Sequence, residues 1–495
     1  MLSLLIFLPL AGGVVAALVP GAGQRGGRVA GFVSVLFAAV TLGLAIGLIA
    51  EFDAGGGLQR VTDVDWIPQL GIHYKLGLSG LNLFLIALAA LIWLVATIGS
   101  ALREWERPST YYLMLALGET AVLGAFCAQD LALFVLFFDL MLVPFYFLIG
   151  IWGGENRVAA TTKFVIYTLV GSLLMLAAAV ATGILATPEG GQVSFAFSDL
   201  AQRPLSNGEQ EWIFLAFALA FLVKMPAFML HGWMPDAYRA APTPVVATLS
   251  GVLSKVGAYG LLAIVLPLFP YATVHFQELM LAVALAGILY GSVMAFSQRS
   301  ATLVVGYSSI AQLGFITLGI FSLRPEGAQG AVLQMINHGL VVAPLFFIIA
   351  LLAARSGGSD DLDRMGGIAF RAPVLATLFL IVALATLAMP GSANFMGEFL
   401  ILSGVFEAKI VYAIIATAGV VLAAVYGIRL YQRSMHNRVG DAVTSRDIKA
   451  ADAAVLLPVV AAILFLALYP QFVLQRSQKS VDTSVVATKV PWSPR

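Results

Sequence analysis

The stretch that decides the fold runs from Val223 to Gly260 and reads VKMPAFMLHGWMPDAYRAAPTPVVATLSGVLSKVGAYG. It holds two lysines, Lys224 and Lys255, inside long apolar runs, and a proline, Pro226, two residues after the first lysine. An ionisable group in hydrocarbon costs roughly 2.5–3.5 kcal/mol on insertion scales, so a chain that keeps one must pair it, wet it or use it. Proline inside a helix removes a backbone hydrogen bond and clashes with the preceding turn. In lipid the freed carbonyls need a partner. The stretch therefore predicts a broken membrane helix carrying a charge, followed by a second charged span.

Outward from this stretch the chain stays apolar. Of 495 residues, 60% are hydrophobic and 11% charged, which makes it a polytopic membrane protein rather than a soluble domain with an anchor. A net charge of +1 gives no basis for nucleic acid binding. Cys127 is the only cysteine, too few for an internal disulfide or an iron–sulfur cluster. No Walker or GxGxxG loop opens a strand–helix unit. The expectation is a chain that holds no cofactor and moves ions on energy supplied from elsewhere.

Apolar runs of membrane length recur about fourteen times. The predicted fold class is an all-α polytopic membrane protein. A second interruption, Thr386-Leu387-Ala388-Met389-Pro390-Gly391, lies five spans after the first. Matched breaks point to an internal repeat, and an odd spacing makes the copies inverted in the membrane. The organisation expected is residues 1–109 as N-terminal helices, 110–266 as one five-helix repeat with a broken helix, 267–432 as its inverted copy, and 433–495 as a last helix and tail. Residues 51–77 and 187–210 are expected to be surface loops. Loops after odd-numbered spans carry sixteen Lys and Arg, Arg25 and Arg28 among them, against five after even-numbered spans. The tail adds Arg476, Lys479, Lys489 and Arg495. The positive-inside rule then places both termini on the outer face.

Four further ionisable positions join the lysines. Asp139 lies among aromatics in Phe137-Phe138-Asp139-Leu140, so its counter-charge must come from another span, and Lys224 is the candidate. At about 6 Å and an effective dielectric of about 20 such a pair is worth roughly 2.8 kcal/mol, enough to switch a lysine between holding and releasing a proton. A permanent structural ion pair is the plainer alternative. Glu398 follows Pro390 by eight residues, on the second half of the other broken helix; a capping or interfacial carboxylate is its plainer role. His231 lies seven residues after Lys224, and His338 shares a helix face with Gln334 four residues earlier. The pattern Asp139, Lys224, Lys255, His231, His338 and Glu398 points to a proton relay along the spans. Haem ligation by His231 and His338 is a remote alternative.

These segments, with FFDLMLVPFYFLIGIWG at 137–153, GYSSIAQLGF at 306–315, LQMINHG at 333–339 and MPGSANFMGEFLIL at 389–402, resemble the antiporter-like membrane subunits of respiratory complex I. The resemblance covers nearly the whole chain. Glu398, where related subunits usually place Lys, is similar to the M type. The resemblance implies about 14 transmembrane helices in two inverted five-helix repeats. It implies a relay with Asp139 paired to Lys224, Lys255 on the central axis, His231 and His338 connecting, and Glu398 terminal. It also implies N-type and L-type neighbours in a membrane arm, a bacterial inner membrane, and FMN, iron–sulfur clusters and quinone confined to partner subunits. Sodium/proton antiporter and membrane hydrogenase subunits share the Val223–Gly260 signature, and a non-transporting scaffold could keep the fold. The chain departs from the family pattern at Asp139, where Glu is usual, and at Gln312, where His is usual. An amide does not readily carry a proton, so the expectation is a weakened link through the span that holds Gln312.

Overall fold

A computed structural model describes residues 1–19, 24–440, 443–444 and 446–489, without the side chains of residues 24 and 25. Arg25's side chain and Arg495, both part of the charge bias, lie outside the described residues. The chain is mostly helical, and 11 of the described helices are long and apolar enough to cross a membrane. Leu2–Leu18 and Pro373–Thr386 are apolar but shorter.

The helices sort by depth. Ala301–Ile320 is buried along the whole of its apolar window and Thr243–Leu268 along 94% of its own, so their polar side chains face protein rather than lipid. Gln24–Glu51, Ile410–Met435 and Ala450–Leu468 form the rim. Glycine allows the closest approaches in the centre. A Cβ on Gly257 would stand 2.6 Å from the Phe221 carbonyl oxygen, and one on Gly330 2.6 Å from the Ile401 amide nitrogen. Those contacts pack the Lys255 helix against the Lys224 helix, and the His338 helix against the Glu398 helix.

Both expected breaks are present, and they are built alike. The first helix, Asn207–Lys224, ends at Lys224 and the chain resumes as Met234–Ala240. The second, Pro373–Thr386, ends before Pro390 and resumes as Ala393–Ala408. Each break is crossed by a backbone bond reaching five residues back, Ala227 to Leu222 at 2.9 Å and Met389 to Leu384 at 3.3 Å. Each also holds a non-glycine residue in the left-handed region, Met229 at φ 68° and Ala388 at φ 50°. Such strain persists only where the surroundings hold it in place. In the first break the Trp233 indole donates to the Val223 carbonyl at 2.9 Å, satisfying an acceptor whose helical amide, that of Ala227, bonds Leu222 instead.

The loops gather at two ends. One end joins residues 102–107, 153–156, 298–300, 356–372 and 436–440 through bonds such as Trp152 Nε1 to the Glu106 carbonyl and Ala301 N to the Asp360 carbonyl. The other end is not the plain loop expected for 51–77. Residues Gln59–Ile67 and Ile72–Leu78 pair as an antiparallel hairpin. The chain turns through Pro68–Leu70 and Gly71, where φ is 65° and a Cβ would collide with the Val193 carbonyl. The tail also differs from expectation. Gln471–Ala487 is a helix whose buried Val473, Leu474, Ser477, Val481, Ser484 and Val485 follow a helical period. It lies against the hairpin end, with Ser480 Oγ accepting from Gly80 N at 3.0 Å and Lys479 Nζ donating to the Gly55 carbonyl at 2.5 Å. Tyr74 donates to Ser3 Oγ at 3.0 Å, so the N-terminal helix starts at this end too.

The hairpin carries an ionic cluster. Asp63 meets Lys75 at 3.0 Å and His73 at 2.9 Å. Partial burial pushes the Asp63 carboxyl up, but the hydrogen bonds and charges of Lys75 and His73 outweigh it and leave the group below its ordinary value. A depressed folded value means that this contribution is fully present above the unfolded pKa, about 3.9, and is lost as pH falls through the folded one. Hydrogen exchange at the Thr62 and Val64 amides should therefore quicken below about pH 4. In Asp63→Asn that acid dependence should disappear; an unchanged profile would remove Asp63 as its source.

Candidate functional site

Lys255 is the centre of the polar interior. It is fully buried on Ser254–Gly260, a short α-helical segment between two π-helical turns, Leu249–Leu253 and Leu261–Val265. Widened turns of this kind shift side chains off the regular helical register and release carbonyls from it. One such carbonyl, that of Ser250, accepts from Lys255 Nζ at 2.5 Å. Lys255 Nζ also donates to Ser254 Oγ at 3.2 Å and stands 2.9 Å from His338 Nδ1. A neutral imidazole at that distance can take the lysine's proton.

From His338 the line continues on its own helix and then leaves it. Gln334 lies one turn earlier on Pro325–Arg355. Gln334 Nε2 donates to Gln312 Oε1 at 2.6 Å, and Gln312 Nε2 donates to Glu398 Oε1 at 2.8 Å. All four side chains are at most 3% exposed. Gln312 was expected to weaken the passage through its span. The structure instead makes it the bridge, with its amide accepting on one side and donating on the other. His338 Nε2, Gln334 Oε1, Glu398 Oε2 and Tyr426 Oη are buried along the same line and make no hydrogen bond among the described residues. Buried polar atoms are ordinarily satisfied, and those that are not mark strain, catalysis or water. A parallel contact joins the Lys255 helix to the Gln312 helix, Ser250 Oγ to Ser309 Oγ at 3.2 Å.

The other end is arranged differently. Lys224 is buried at the last position before the first break. Its Nζ donates to the Phe138 carbonyl at 3.4 Å and lies 4.4 Å from the centre of the Phe138 ring. Asp139 stands beyond contact distance: among the described residues it and Lys224 make no ion pair within 4.0 Å. The aspartate stem is short, and the neighbouring Phe138 occupies the lysine. Asp139 is half-buried instead and lines an apolar cavity of about 660 Å³ with Trp66, Leu70, Leu136, Leu176 and Phe195. Its Oδ1 is buried without a partner.

His231 is not brought to either lysine. It sits within the first break, its Nε2 3.3 Å from Tyr290 Oη and its ring 6.2 Å from that of Tyr307. A haem held by His231 and His338 finds no support, since His338 is engaged by Lys255. Among the described residues no group of three or more His, Cys, Asp or Glu is placed to hold a metal ion.

The sequence reading passed over three participants: Ser250 and Ser309, which gave no signal, and Tyr426, an ordinary apolar-helix tyrosine until the fold sets it near Glu398. The π-helical turns have no sequence signature beyond the small residues of GVLSKVGAYG.

Against known proteins, residues 128–424 match the family model described as NADH:quinone oxidoreductase/Mrp antiporter, TM. The chain belongs to this family. A Rhodobacter capsulatus protein named NADH-quinone oxidoreductase subunit M is 36% identical over 96% of this chain and 94% of its own length. The subunit M of Escherichia coli strain K12 is also 36% identical, over 90% of this chain and 91% of its own. A chain of respiratory complex I from Thermus thermophilus superposes with a TM-score of 0.90 at 30% identity, covering 99% of this chain and 100% of that one. A chain of the Mrp complex from Dietzia shares the fold at TM-score 0.82 and 20% identity, with 99% of this chain matched to 55% of that one.

The amide bridge makes a stability prediction. Gln312→Leu strands both the Gln334 amide and the Glu398 carboxyl, each at a cost of about 1–3 kcal/mol. The variant should unfold at a lower temperature in the purified membrane complex, and Gln312→His should recover most of the loss. Equal melting of Leu and wild type would show that the bridge contributes nothing.

Proposed function

We propose that this chain is the M-type, proton-translocating membrane subunit of an NADH–quinone oxidoreductase. The observation that carries the proposal is the buried polar series Lys255, His338, Gln334, Gln312 and Glu398, bonded at each step except between His338 and Gln334, one helical turn apart, and set in helices that are otherwise apolar. The subunit M relatives, aligned over nearly their full lengths, support the same reading. So does the absence of any nucleotide or cluster motif in the sequence. The energy then comes from quinone reduction in partner subunits that hold FMN and iron–sulfur clusters.

In this reading Lys255 carries the proton on the central axis. It passes to His338 across a single 2.9 Å contact. Neither glutamine titrates, so Gln334 and Gln312 act by position: they hold Glu398 in line and orient the hydrogen-bonded path that a proton follows to it. Glu398 is the terminal group. Lys224 and Asp139 form the other end. Their separation implies coupling through the electric field rather than through a shared proton, and that field falls off as one over distance. His231, with Tyr290 and Tyr307, serves the break rather than the axis.

The topology follows from the same reading. The 11 long spans, Leu2–Leu18 and the two broken helices at Pro226 and Pro390 make fourteen crossings. The similar breaks support two inverted repeats, 110–266 and 267–432, after N-terminal helices 1–109, with 433–495 closing the chain. The basic bias puts the hairpin end, and with it both termini, on the outer face of a bacterial inner membrane. N-type and L-type subunits flank it in the membrane arm.

Two measurements test these statements. Lys255→Arg keeps a charge that does not readily release its proton, whereas Lys255→Met removes the group. Both should cut NADH-driven proton uptake by inverted membrane vesicles about tenfold or more, with the complex assembled. Normal pumping in the Arg variant would make Lys255 a fixed structural charge. For the topology, single cysteines at Gly56 and Ser206 should react with an impermeant thiol reagent from the outer side. Reaction only from the cytoplasmic side would invert the orientation.

A further inference from the structure

One buried carboxyl stands outside this line. Glu119 lies on Pro108–Cys127, 2% exposed, and among the described residues it makes no hydrogen bond or ion pair. It lines a small space of about 10 Å³, about enough for one water-sized species, between Leu2–Leu18, Gln24–Glu51, Leu83–Ala101 and its own helix. Ser34, Thr97 and Tyr112 share that space with apolar groups.

The walls are short of donors. Ser34 Oγ already donates to the Ala30 carbonyl at 2.9 Å, and Thr97 Oγ1 to the Trp93 carbonyl at 2.7 Å. The Trp93 indole N–H is spent on the Leu115 carbonyl at 2.8 Å. Both side-chain hydroxyls have therefore given their protons to backbone carbonyls, and an ionised Glu119 brings acceptors only. Among the described residues no lysine, arginine or histidine lines the space. Leu2–Leu18 and Leu83–Ala101 carry no charged residue, and Glu119 is the sole charged type on its helix. On Gln24–Glu51 the charged residues stand near the ends, Arg28 exposed at one and Glu51 at the other. Tyr112 is the one other titratable side chain at the space, and a tyrosine cannot balance an anion.

An ionised carboxylate facing lone pairs and hydrocarbon has neither solvation nor a counter-charge, a cost of many kcal/mol that proteins avoid by neutralising the group. One proton removes the charge. We propose that Glu119 is a proton-binding site separate from the Lys255–Glu398 line, held as the un-ionised acid among the N-terminal helices. It is a standing site, not a step of the relay: no polar contact joins it to Lys224 or Lys255 among the described residues.

Infrared difference spectra decide the assignment. The purified native complex in heavy water at neutral pH is compared with Glu119→Gln. The carbonyl stretch of an un-ionised carboxylic acid should be lost from the variant, with no loss from the carboxylate bands. Glu119→Asp keeps the acid on a shorter stem and should shift the band rather than abolish it, which covers the case in which the Gln variant fails to assemble. Loss of a carboxylate band instead would overturn the proposal. The same spectra recorded in sodium and in potassium salts separate the competing small cation: conversion of the acid band to carboxylate in sodium alone would make the space a sodium site and overturn the proton assignment.

Discussion

The arrangement of the interior depends on one constraint, that an ammonium group removed from water must be solvated by the protein. Lys255 meets it with a carbonyl, a hydroxyl and an imidazole, all within 3.2 Å. Regular helix geometry does not offer a free carbonyl at mid-span, because each is committed to the amide four residues on. The π-helical turns on either side of Lys255 supply one. The price of a buried charge is thus met by irregular backbone, and irregular backbone is tolerated at that depth only because Thr243–Leu268 is enclosed by other helices.

The same exchange appears at both breaks. Pro226 and Pro390 free carbonyls that a membrane helix cannot leave unsatisfied, and the chain answers with five-residue backbone bonds and with side chains from outside the helix. Trp233 serves the first break and Asn337, donating to the Ala393 carbonyl at 2.6 Å, serves the second. Asn337 stands next to His338, so the residue that steadies the second break and the residue that meets Lys255 move together. This rigid neighbourhood ties the backbone of the Glu398 helix to the central lysine without any direct contact between the two charges.

Much of this was legible in the sequence, for physical reasons. A lysine or proline in an apolar run stands out at once, so both breaks and the charged positions were evident before any coordinates. Asp139, Lys224, Lys255, His338 and Glu398 could be named because charge in hydrocarbon is conspicuous. The links between them were not legible. Gln312 read as a weakened link because an amide does not readily carry a proton, and nothing in the sequence showed that its side chain bonds both Gln334 and Glu398. The spacing of Asp139 and Lys224 was not legible either, since side-chain length and the neighbouring Phe138 determine what Lys224 reaches. The hairpin and the tail helix were missed because short amphipathic elements are faint beside membrane-length apolar runs.

The two ends of the line therefore differ in kind. Toward Glu398 each neighbour is within hydrogen-bond reach of the next or one helical turn away, so protonation at one group is felt through contact. Toward Asp139 there is a gap, and the carboxylate faces an apolar cavity. An ion pair in water at such range would be negligible, but field lines confined between low-dielectric walls are screened far less. A carboxylate that is half exposed to that cavity is sensitive to whatever fills it, since wetting would screen its field at Lys224 and a dry occupant would preserve it. Asp139 lines that space with the hairpin's Trp66 and Ile67, so the field it sets up at Lys224 crosses a region whose polarity depends on its contents.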